Sequence, residues 1–392
     1  DSSGNTSPAS DVLGIEVDRT PPAAPTLTLN DGGDDTIGAN EAGSTSVDYS
    51  GAEVNTAFDL EVEDTGSGSV TKNGPVNTSS DTITGIDVTP LNDGTITYDF
   101  KLTDIAGNTA PPVSDSATLN TAVPDAPTGL DLATSDDSGS SNSDDITNVN
   151  TPEISGNGDV DGNTITLFAD DDDDGEIDSA EELATGLVGS GTWDITVPGG
   201  KALSDGDRNL RAIEDNGVNQ SPASAKLVVT VDTVNPGITS LTQDDADGVI
   251  NASEETDTSV TLAGAEVTTP EISYDLKVES NSGSGSVTPS GTIGSSDQQI
   301  TGIDVSSLND GVLTYESTLT DIAGNTATKS DTVDKDTSAP GAPDQPDMLS
   351  SDDSAGPTGT NSDNITDVPK PTFDGGGAGA NMTIVLFADT DN

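Results

Sequence analysis

Apolar and polar residues alternate with a period of two along short stretches of this chain. Clear examples are FDLEVE at 58–63, TITYDFKL at 95–102, KLVVTV at 226–231 and YDLKVE at 274–279. This period places apolar side chains on one face of a β-strand, and Gly, Asn, Asp and Ser separate the stretches as turn residues. The pattern predicts an all-β fold. Only EIDSAEELATGL, from Glu176, favours a short helical turn.

The chain also repeats itself. Residues 84–110, TGIDVTPLNDGTITYDFKLTDIAGNTA, return at 301–327 as TGIDVSSLNDGVLTYESTLTDIAGNTA, and the SDDS at 135 returns at 351. Repetition on this scale predicts a tandem array of modules. About seven short strands in each stretch of roughly 100 residues are typical of an antiparallel β-sandwich of immunoglobulin type.

Proline-rich connectors mark the module boundaries: RTPPAAP from 19, NTAVPDAP from 120, DTVNPGI from 232 and DTSAPGAP from 336. They predict two alternating module types. Type one covers 21–121 and 235–337, type two covers 122–234, and 1–20 and 338–392 are the C-terminal and N-terminal parts of further type-two modules. A chain that begins and ends inside modules favours a segment of a longer protein, with ends that complete one another in neighbouring chains as the alternative.

The composition is strongly acidic, with 71 acidic and 11 basic residues and a formal charge of −60. Such a chain repels itself unless counter-ions bind, and divalent cations are the obvious candidates. Nucleic acid and anionic membrane surfaces are excluded as partners, because both need clustered Lys and Arg. The absence of a long apolar stretch excludes direct membrane insertion. A solvated surface adapted to salty water remains an open, compatible explanation of the acidity.

The chain contains neither Cys nor His. This excludes disulfides, thiol and imidazole chemistry, and the usual zinc ligands. No loop gathers other catalytic groups, so we do not expect an enzyme. With 30% hydrophobic and 3% aromatic residues each core should be thin, and we expect Trp193, Tyr98 and Tyr315 to pack inside.

The strongest motif is DDDDDGEIDSAE at 170–181. It matches a twelve-position calcium loop, with Gly175 at position 6 for the sharp turn and a Glu at position 12. A solvated acidic hairpin is the alternative. The predicted Ca²⁺ ligands are Asp170, Asp172, Asp174, Glu176, Asp178 and Glu181.

A weaker version lies at the start of the second type-one module, with Gln243 at position 1. The corresponding segment of the first module, at 32–41, lacks the Gly at position 6 and the oxygen at position 9. The alternative for both is a polar turn between strands. The candidate ligands in the better copy are Asp245, Asp247, Asn251 and Glu254.

Acidic segments follow the connectors of the type-two modules, where carboxylates of one module could meet those of the next. A cation held there would lock two modules together; a flexible acidic linker is the alternative. The candidate ligands are Asp136, Asp137 and Asp144, their repeats Asp352, Asp353 and Asp363, the strand-end Asp18 and Asp232, and the DIAGN-loop Asp104 and Asp321. Asp389 and Asp391, where the calcium-loop motif begins to recur, complete the set.

Several of these motifs together resemble a known family. LNDG-x-x-TY-x-x-x-LTDIAGN, VDTVNP and NTPEISGNGDVDGNTITLF with its acidic loop are similar to the tandem Ig-like repeats of large bacterial surface adhesins, of the biofilm-associated-protein and RTX-adhesin type. The resemblance implies β-sandwich modules with calcium at and between domains. It further implies type I secretion, an extracellular location on the bacterial cell surface, and a role in extending an adhesive tip.

These observations predict a calcium-rigidified extender segment acting in cell adhesion or biofilm formation, with neighbouring modules of the same chain as its partners. Nothing in the sequence identifies an adhesive target. One alternative is a self-assembling filament or S-layer subunit, in which residues 1–19 complete a neighbouring sandwich. Another is a carbohydrate-binding Ig-like module, which the scarcity of aromatic residues disfavours.

Overall fold

The computed structural model describes residues 1–139, 141–267, 272–353 and 362–388. These residues form β-strands and one 3₁₀ turn, Gly199–Lys201, which confirms the all-β prediction. They divide into two compact units, Asp1–Val234 and Asn235–Asn392. The first unit contains two β-sandwiches and the second contains one. No helix in the described part of the chain is both long enough and apolar enough to cross a membrane.

The first sandwich packs a three-stranded sheet, in the order β1-β3-β6, against a five-stranded sheet, in the order β2-β8-β7-β4-β5. All pairs are antiparallel except β2 with β8. The strands are β1 Thr26–Leu29, β2 Thr36–Gly38, β3 Thr45–Ser50, β4 Ala57–Asp64, β5 Ser69–Pro75, β6 Ser80–Ile86, β7 Gly94–Thr103 and β8 Val113–Asn120.

The alternation seen in the sequence decides which faces of these strands are buried. In β4, Phe58, Leu60 and Val62 are buried while the residues between them are exposed. Tyr98 lies in the core, as expected, and its hydroxyl donates to Thr45 Oγ1 (2.9 Å). Burial raises the pKa of Tyr98, so the hydroxyl stays protonated.

The second sandwich repeats this arrangement with sheets β9-β11-β14 and β10-β16-β15-β12-β13. Trp193 is buried in its core, as predicted. The strands are β9 Thr128–Leu132, β10 Ile146–Thr147, β11 Glu153–Asn157, β12 Thr164–Ala169, β13 Glu182–Leu187, β14 Thr192–Thr196, β15 Gly206–Asp215 and β16 Leu227–Val231.

The prediction of a helical turn from Glu176 onward was wrong. The second half of that segment is strand β13, which pairs antiparallel with β12 from Thr164↔Leu187 to Phe168↔Glu182. Pairing with β12 supplies the backbone hydrogen bonds that the local sequence would otherwise make within a helix. Leu183 is buried by this pairing, so tertiary contacts override the local helical preference.

The third sandwich has sheets β17-β19-β23 and β18-β25-β24-β20-β21, with β22 also paired to β20. Its core is a separate cluster that includes Leu276, Val278 and Tyr315. The strands are β17 Ser240–Gln243, β18 Val249–Ile250, β19 Thr258–Ala263, β20 Ser273–Ser280, β21 Ser286–Val287, β22 Ser290–Thr292, β23 Asp297–Ile303, β24 Gly311–Thr320 and β25 Thr326–Lys335. A last pair, β26 Asp347–Met348 and β27 Phe373–Asp374, follows it.

Candidate metal centres

The acidic loop at 170–181 is held at both ends by the sheet of the second sandwich. The Asp170 N–H donates to the Asn209 carbonyl (2.9 Å), and the Ala169 N–H donates to the Glu181 carbonyl (2.9 Å). Gly175 has a φ of +77° within the turn, a conformation that glycine adopts without steric cost. Strands β12, β13 and β15 therefore fix where the carboxylates of this loop can lie.

Three of the predicted ligands meet in this loop. One carboxylate oxygen from each of Asp170, Asp172 and Asp174 lies within 4.8 Å of the other two. Asp170 is fully buried, whereas the other two side chains are exposed. Like charges this close repel one another, and hard cations such as Ca²⁺ prefer several carboxylate oxygens. The arrangement suits a cation bound near the protein surface, with the buried Asp170 carboxylate as its innermost ligand.

The remaining predicted ligands of the loop have other surroundings. The Glu181 carboxylate accepts the N–H groups of Asp171 (3.0 Å) and Asp178 (3.1 Å), so it closes the base of the loop. The side chains of Glu176 and Asp178 are exposed. Glu181 is thus placed at the loop by its hydrogen bonds, while Asp170, Asp172 and Asp174 form the close group.

Basic residues on β15 and next to β16 contact the loop, and the sequence did not predict these contacts. Arg211 Nε lies 2.5 Å from Asp170 Oδ2, and Lys226 Nζ lies 3.0 Å from Asp173 Oδ2. The hydrogen bond to Asp170 raises the pKa of Arg211; Lys226, and then Arg211, lower the pKa of Asp173. Asp170 Oδ1 faces the loop, 3.4 Å from the Gly175 N–H donor. Arg208 also approaches this loop, at Asp171. The signal in the sequence was the scarcity of basic residues, because each of them is then expected to pair with acidic residues.

A second group of carboxylates lies on the two sides of β18 in the third sandwich. Oxygens of Asp245, Asp247 and Glu254 lie within 4.8 Å of one another. Asp245 Oδ2 is buried and has no hydrogen-bond partner. Asn251, also predicted as a ligand, instead accepts the N–H and hydroxyl of Ser253 (2.9 and 2.7 Å). Gln243 Oε1 accepts the Asp245 N–H (2.7 Å) and so shapes the turn.

The corresponding segment of the first sandwich uses its carboxylates for turns. Asp34 accepts the Thr36 N–H (3.0 Å), and Glu41 accepts the Gly38 N–H (2.9 Å). Among the described residues, only the two groups above bring three carboxylates within 4.8 Å. The third sandwich makes the same two turn hydrogen bonds, from the Val249 N–H to Asp247 (3.1 Å) and from the Asn251 N–H to Glu254 (3.0 Å). The two sandwiches differ in the third carboxylate, because Gly32 stands at the place of Asp245.

The acidic segment at Ser135 contains a buried carboxylate without a full set of partners. Asp137 is 5% exposed, and its Oδ1 has no hydrogen-bond partner in the described part of the chain. Burial raises the pKa of Asp137, and the nearby Asp144 raises it further. Asp136 accepts the Glu153 N–H (2.7 Å), and Asp144 accepts the Ile146 N–H (3.3 Å). Asp137 and Asp144 thus form a pair of adjacent carboxylates inside their own sandwich.

The same arrangement recurs after the third sandwich. Asp353 is 2% exposed, and its Oδ1 also lacks a hydrogen-bond partner among the residues that the structure describes. Asp363 accepts the Ile365 N–H (3.2 Å), as Asp144 does for Ile146. A hydrogen bond to the Thr372 N–H (2.7 Å) lowers the pKa of Asp352. Both loops thus contain a buried carboxylate oxygen without a hydrogen-bond partner among the described residues, which makes them a second kind of candidate cation site.

The Ser135 loop lies at the end of the second sandwich where the chain leaves it. The Thr230 N–H donates to the Asp145 carbonyl and the Asp232 N–H donates to the Thr147 carbonyl (both 2.9 Å). The loop follows the connector in sequence, but its main-chain partners belong to the last strand of its own sandwich. Its carboxylates are therefore positioned toward the exit of the module.

The other predicted junction carboxylates stabilise turns. Asp18 accepts the Thr20 N–H (2.9 Å), and Asp232 accepts the Val234 N–H (3.0 Å). Asp104 accepts both the N–H and the side-chain amide of Asn108 (2.8 Å each), which lowers its pKa. Asp321 accepts the N–H of Asn325 in the same way (2.8 Å). Asp389 and Asp391 lie outside the described residues.

Comparison with known proteins supplies a family for one part of the chain. No curated protein matches it. Similar solved structures include a tetra-tandem repeat in the extending region of a large adhesion protein, at 20% identity (81% of this chain, 74% of that chain, TM-score 0.30). They also include a 1.5-MDa bacterial ice-binding adhesin, at 20% identity (82% and 100%, TM-score 0.32), and a Ca²⁺-stabilized adhesin of an Antarctic bacterium that binds ice, at 22% (83% and 77%, TM-score 0.38).

A family model matches the segment that forms the second sandwich. The match covers residues 123–233, from the connector before β9 to the residues just after β16. It agrees with the resemblance noted in the sequence and with the two packed β-sheets. Residues 123–233 are thus identified as a bacterial Ig-like domain.

Proposed function

We propose that this chain is a stalk segment of a large extracellular bacterial adhesin, in which Ca²⁺ stabilises the sandwiches and stiffens the stalk. The observation that carries the proposal is the convergence of Asp170, Asp172 and Asp174 on a loop of a repeated β-sandwich. The role is structural: the modules act as spacers between the cell surface and an adhesive tip. Adhesion and biofilm formation are the processes that such a spacer would serve.

The mechanism is electrostatic. At a formal charge of −60 the folded chain repels itself, most strongly where carboxylates meet. Asp170, Asp172, Asp174, Asp245, Asp247 and Glu254 would hold the cation, with the Asp137 and Asp353 loops as further sites. Bound Ca²⁺ supplies positive charge at these positions, and it stabilises only the folded chain because the unfolded chain does not keep the oxygens together.

Folding would then be coupled to export. A type I secretion route moves an unfolded chain from a cytosol that is low in calcium to a medium that contains it. Carboxylate repulsion keeps the chain loose before export, and binding drives folding after it. The chain has no disulfides to perform this task, since it contains no Cys. Calcium takes the place that disulfides hold in many secreted proteins.

The test combines thermal unfolding with small-angle X-ray scattering. The full chain is compared in chelator, in about 5 mM Ca²⁺, which exceeds the 10⁻⁴–10⁻³ M affinities of extracellular modules, and in NaCl of matched ionic strength. Trp193, the only Trp, reports unfolding of the second sandwich by fluorescence. At about 5 mM the Ca²⁺ concentration is about 5 to 50 times these dissociation constants, so we expect about 1–2.3 kcal/mol of stabilisation for each occupied site. Scattering should show a longer, stiffer particle in Ca²⁺ alone.

Matched variants separate site binding from general screening. Asp172→Asn should abolish most of the Ca²⁺-dependent shift in the Trp193 transition. Asp194→Asn removes the same charge from an exposed position on β14 of the same sandwich and should leave the shift unchanged. Equal shifts in Ca²⁺ and NaCl, or equal losses in the two variants, would contradict the calcium part of the proposal. An unchanged particle length in Ca²⁺ would contradict the stiffening.

A further inference from the structure

The first and second sandwiches belong to one compact unit, and the Asn219 side chain makes three hydrogen bonds where they meet. Asn219 lies in the loop between β15 and β16. Its Oδ1 accepts the Ala39 N–H (2.7 Å), and its Nδ2 donates to the carbonyls of Asn120 (2.9 Å) and Ala122 (3.1 Å). All three partners are main-chain atoms at the exit end of the first sandwich or in the connector.

The hydrogen-bonding capacity of this amide is used across the junction. Both N–H donors of the Asn219 side chain and its oxygen are engaged, and the residue is 4% exposed. A buried amide with every donor satisfied is stable only in one orientation, since displacement leaves polar groups buried without partners. A neighbouring side chain adds to the contact: Asn216 Nδ2 also donates to the Ala122 carbonyl (2.9 Å).

The loop that presents Asn219 is held in shape before any neighbour is considered. Asn216 Oδ1 accepts the N–H groups of Val218 (3.0 Å) and Asn219 (2.8 Å). Asp215 Oδ1 accepts the Gly217 N–H (2.6 Å). These bonds lie inside the loop, so the Asn219 amide is preorganised and little conformational entropy is lost when the junction forms.

The surface that receives the loop is adapted to close approach. A Cβ atom placed on Gly38 would lie 3.0 Å from Asn219 Oδ1 and 3.3 Å from a methyl carbon of Val218. These distances are shorter than ordinary van der Waals contact. Gly38 ends strand β2, beside the Ala39 N–H that Asn219 accepts, so the absence of a side chain there lets the loop reach the main chain.

The same loop position makes the same kind of contact one module earlier. Asn108, in the loop between β7 and β8 of the first sandwich, donates from Nδ2 to the Asp18 carbonyl (3.4 Å). Asp18 begins the connector DRTPPAAP, as Asn120 begins NTAVPDAP. The equivalent asparagine of the first sandwich thus also lies near the carbonyl of the residue that starts its connector, although its Nδ2 donates over a shorter distance to Asp104 Oδ2 (2.8 Å).

We propose that Asn219 is a metal-independent clamp that fixes the second sandwich to the first, by binding the main chain at the exit end of the first sandwich and in the connector. The Asn219 clamp consists of the Asn219 side chain with its partners on Ala39, Asn120 and Ala122. It acts in chelator as well as in calcium. The result of a test of the clamp in chelator therefore does not depend on whether the proposed calcium sites bind Ca²⁺.

The test measures the distance between the first two sandwiches in the full chain. Because the chain contains no Cys, Thr71→Cys on β5 and Thr185→Cys on β13 give two unique, exposed positions for spin labels. Pulsed electron spin resonance in chelator should give one narrow distance peak. A broad distribution in the parent chain would overturn the proposal, since inter-domain motion is the expectation without a specific contact.

The decisive variant is Asn219→Asp in the labelled chain. It keeps the shape of the side chain but places carboxylate oxygens against the carbonyls of Asn120 and Ala122, so the narrow peak should be lost. Asn150→Asp, which makes the same chemical change at an exposed side chain elsewhere in the second sandwich, should keep the peak. Retention of the peak in Asn219→Asp, or its loss in both variants, would overturn the clamp.

Two further measurements guard against simple misfolding. Trp193 fluorescence must be the same in Asn219→Asp and in the parent, which shows that the second sandwich is still folded. Gly38→Val attacks the junction from the first sandwich instead, where the added side chain meets Asn219 and Val218. It should also remove the narrow peak while leaving Trp193 fluorescence unchanged. A narrow peak in Gly38→Val would contradict the close approach on which the clamp depends.

Discussion

The first and third sandwiches have the same arrangement of strands but differ in several buried side chains. Both have a three-stranded sheet packed on a larger one, with a short parallel pair at the edge. In both, a core tyrosine hydroxyl contacts a buried threonine: Tyr98 with Thr45 (2.9 Å) and Tyr315 with Thr258 (3.0 Å). The strand pairing and this polar pair are thus common to the two copies.

The aromatic contacts are found in one copy. In the first sandwich the ring of Phe100 stacks on Tyr49 and on Phe58, with centroids 5.4 and 5.6 Å apart. The residue at the place of Phe100 in the third sandwich is Ser317, which is fully buried with a hydroxyl that lacks a partner. The third core therefore has less apolar contact and one polar group without compensation.

A second difference lies beside the parallel edge pair. Ala42 and Leu119, both buried, close this part of the first sandwich. The third sandwich has an ion pair there: Lys335 Nζ lies 2.9 Å from Glu255 and donates to two backbone carbonyls. The comparison teaches that strand pairing fixes the architecture, while the chemistry of a buried position can change from apolar to charged when both partners change together.

The largest expected effect is on the aromatic cluster. Phe100→Ala should destabilise the first sandwich by about 3–5 kcal/mol, because it removes a buried ring and leaves a cavity. Hydrogen exchange of the β7 amides, read by mass spectrometry, measures this loss in the full chain. Ser317→Ala is the converse change and should stabilise the third sandwich by about 1 kcal/mol, since it removes an unpaired buried hydroxyl. Destabilisation in both variants would contradict the comparison.

The ion pair should give the next effect. Lys335→Leu alone should destabilise the third sandwich by about 3 kcal/mol, the low end for breaking a buried pair, because Glu255 remains 21% exposed. Adding Glu255→Ala recreates the Leu119 and Ala42 arrangement of the first sandwich and should restore most of the stability. A double-mutant cycle on β25 amide exchange measures the coupling. Additive losses in the double variant would show that the two side chains do not act as a pair.

The smallest effect concerns acid sensitivity. Asp64 ends β4 and accepts the N–H groups of Asn92 and Gly68, which lower its pKa; the equivalent residue in the third sandwich is Ser280. The stability from a carboxylate with a lowered pKa is present above its unfolded value, about 3.8, and is lost as the pH falls through the folded pKa. The first sandwich should therefore lose stability below about pH 4, and Asp64→Ser should lessen that loss.

Acid unfolding followed by exchange of β4 and β20 amides tests this difference. The control is Asp59→Asn, which removes an exposed charge from the same strand. An acid profile in Asp64→Ser that matches the parent would contradict a role for Asp64.

The sequence predicted those features that depend on local alternation or on repetition. The exposed and buried positions of β4, the burial of Trp193 and the all-β fold follow from period-two patterns, because one face of a strand packs on the core. The grouping of Asp170, Asp172 and Asp174 was also predicted, since a turn at Gly175 brings nearby residues together. In these cases the local residue pattern is enough to predict which side chains face the core or meet at a turn.

Features that depend on distant contacts were not predicted. Arg211 reaches Asp170 across a strand pair, Lys335 is buried only because Glu255 and two carbonyls meet it, and Asn219 acts on the main chain of another sandwich. In each case the residue type alone suggests an exposed position. The partner that reverses this expectation is many residues away, and only the fold brings it near.

The dependence of the clamp on main-chain partners bears on how such a protein can lengthen. Duplication of the coding sequence for a module copies the loop and the connector together, so the new junction then depends on the residue that the preceding module has at the place of Gly38. The constraint falls on one position, Gly38, where a Cβ would lie against the amide. The third sandwich carries Asn251 at the equivalent place, after its own β18. If the third sandwich stood in the place of the first, the Asn251 side chain would therefore obstruct the clamp. The order of modules thus matters even where their architecture is the same.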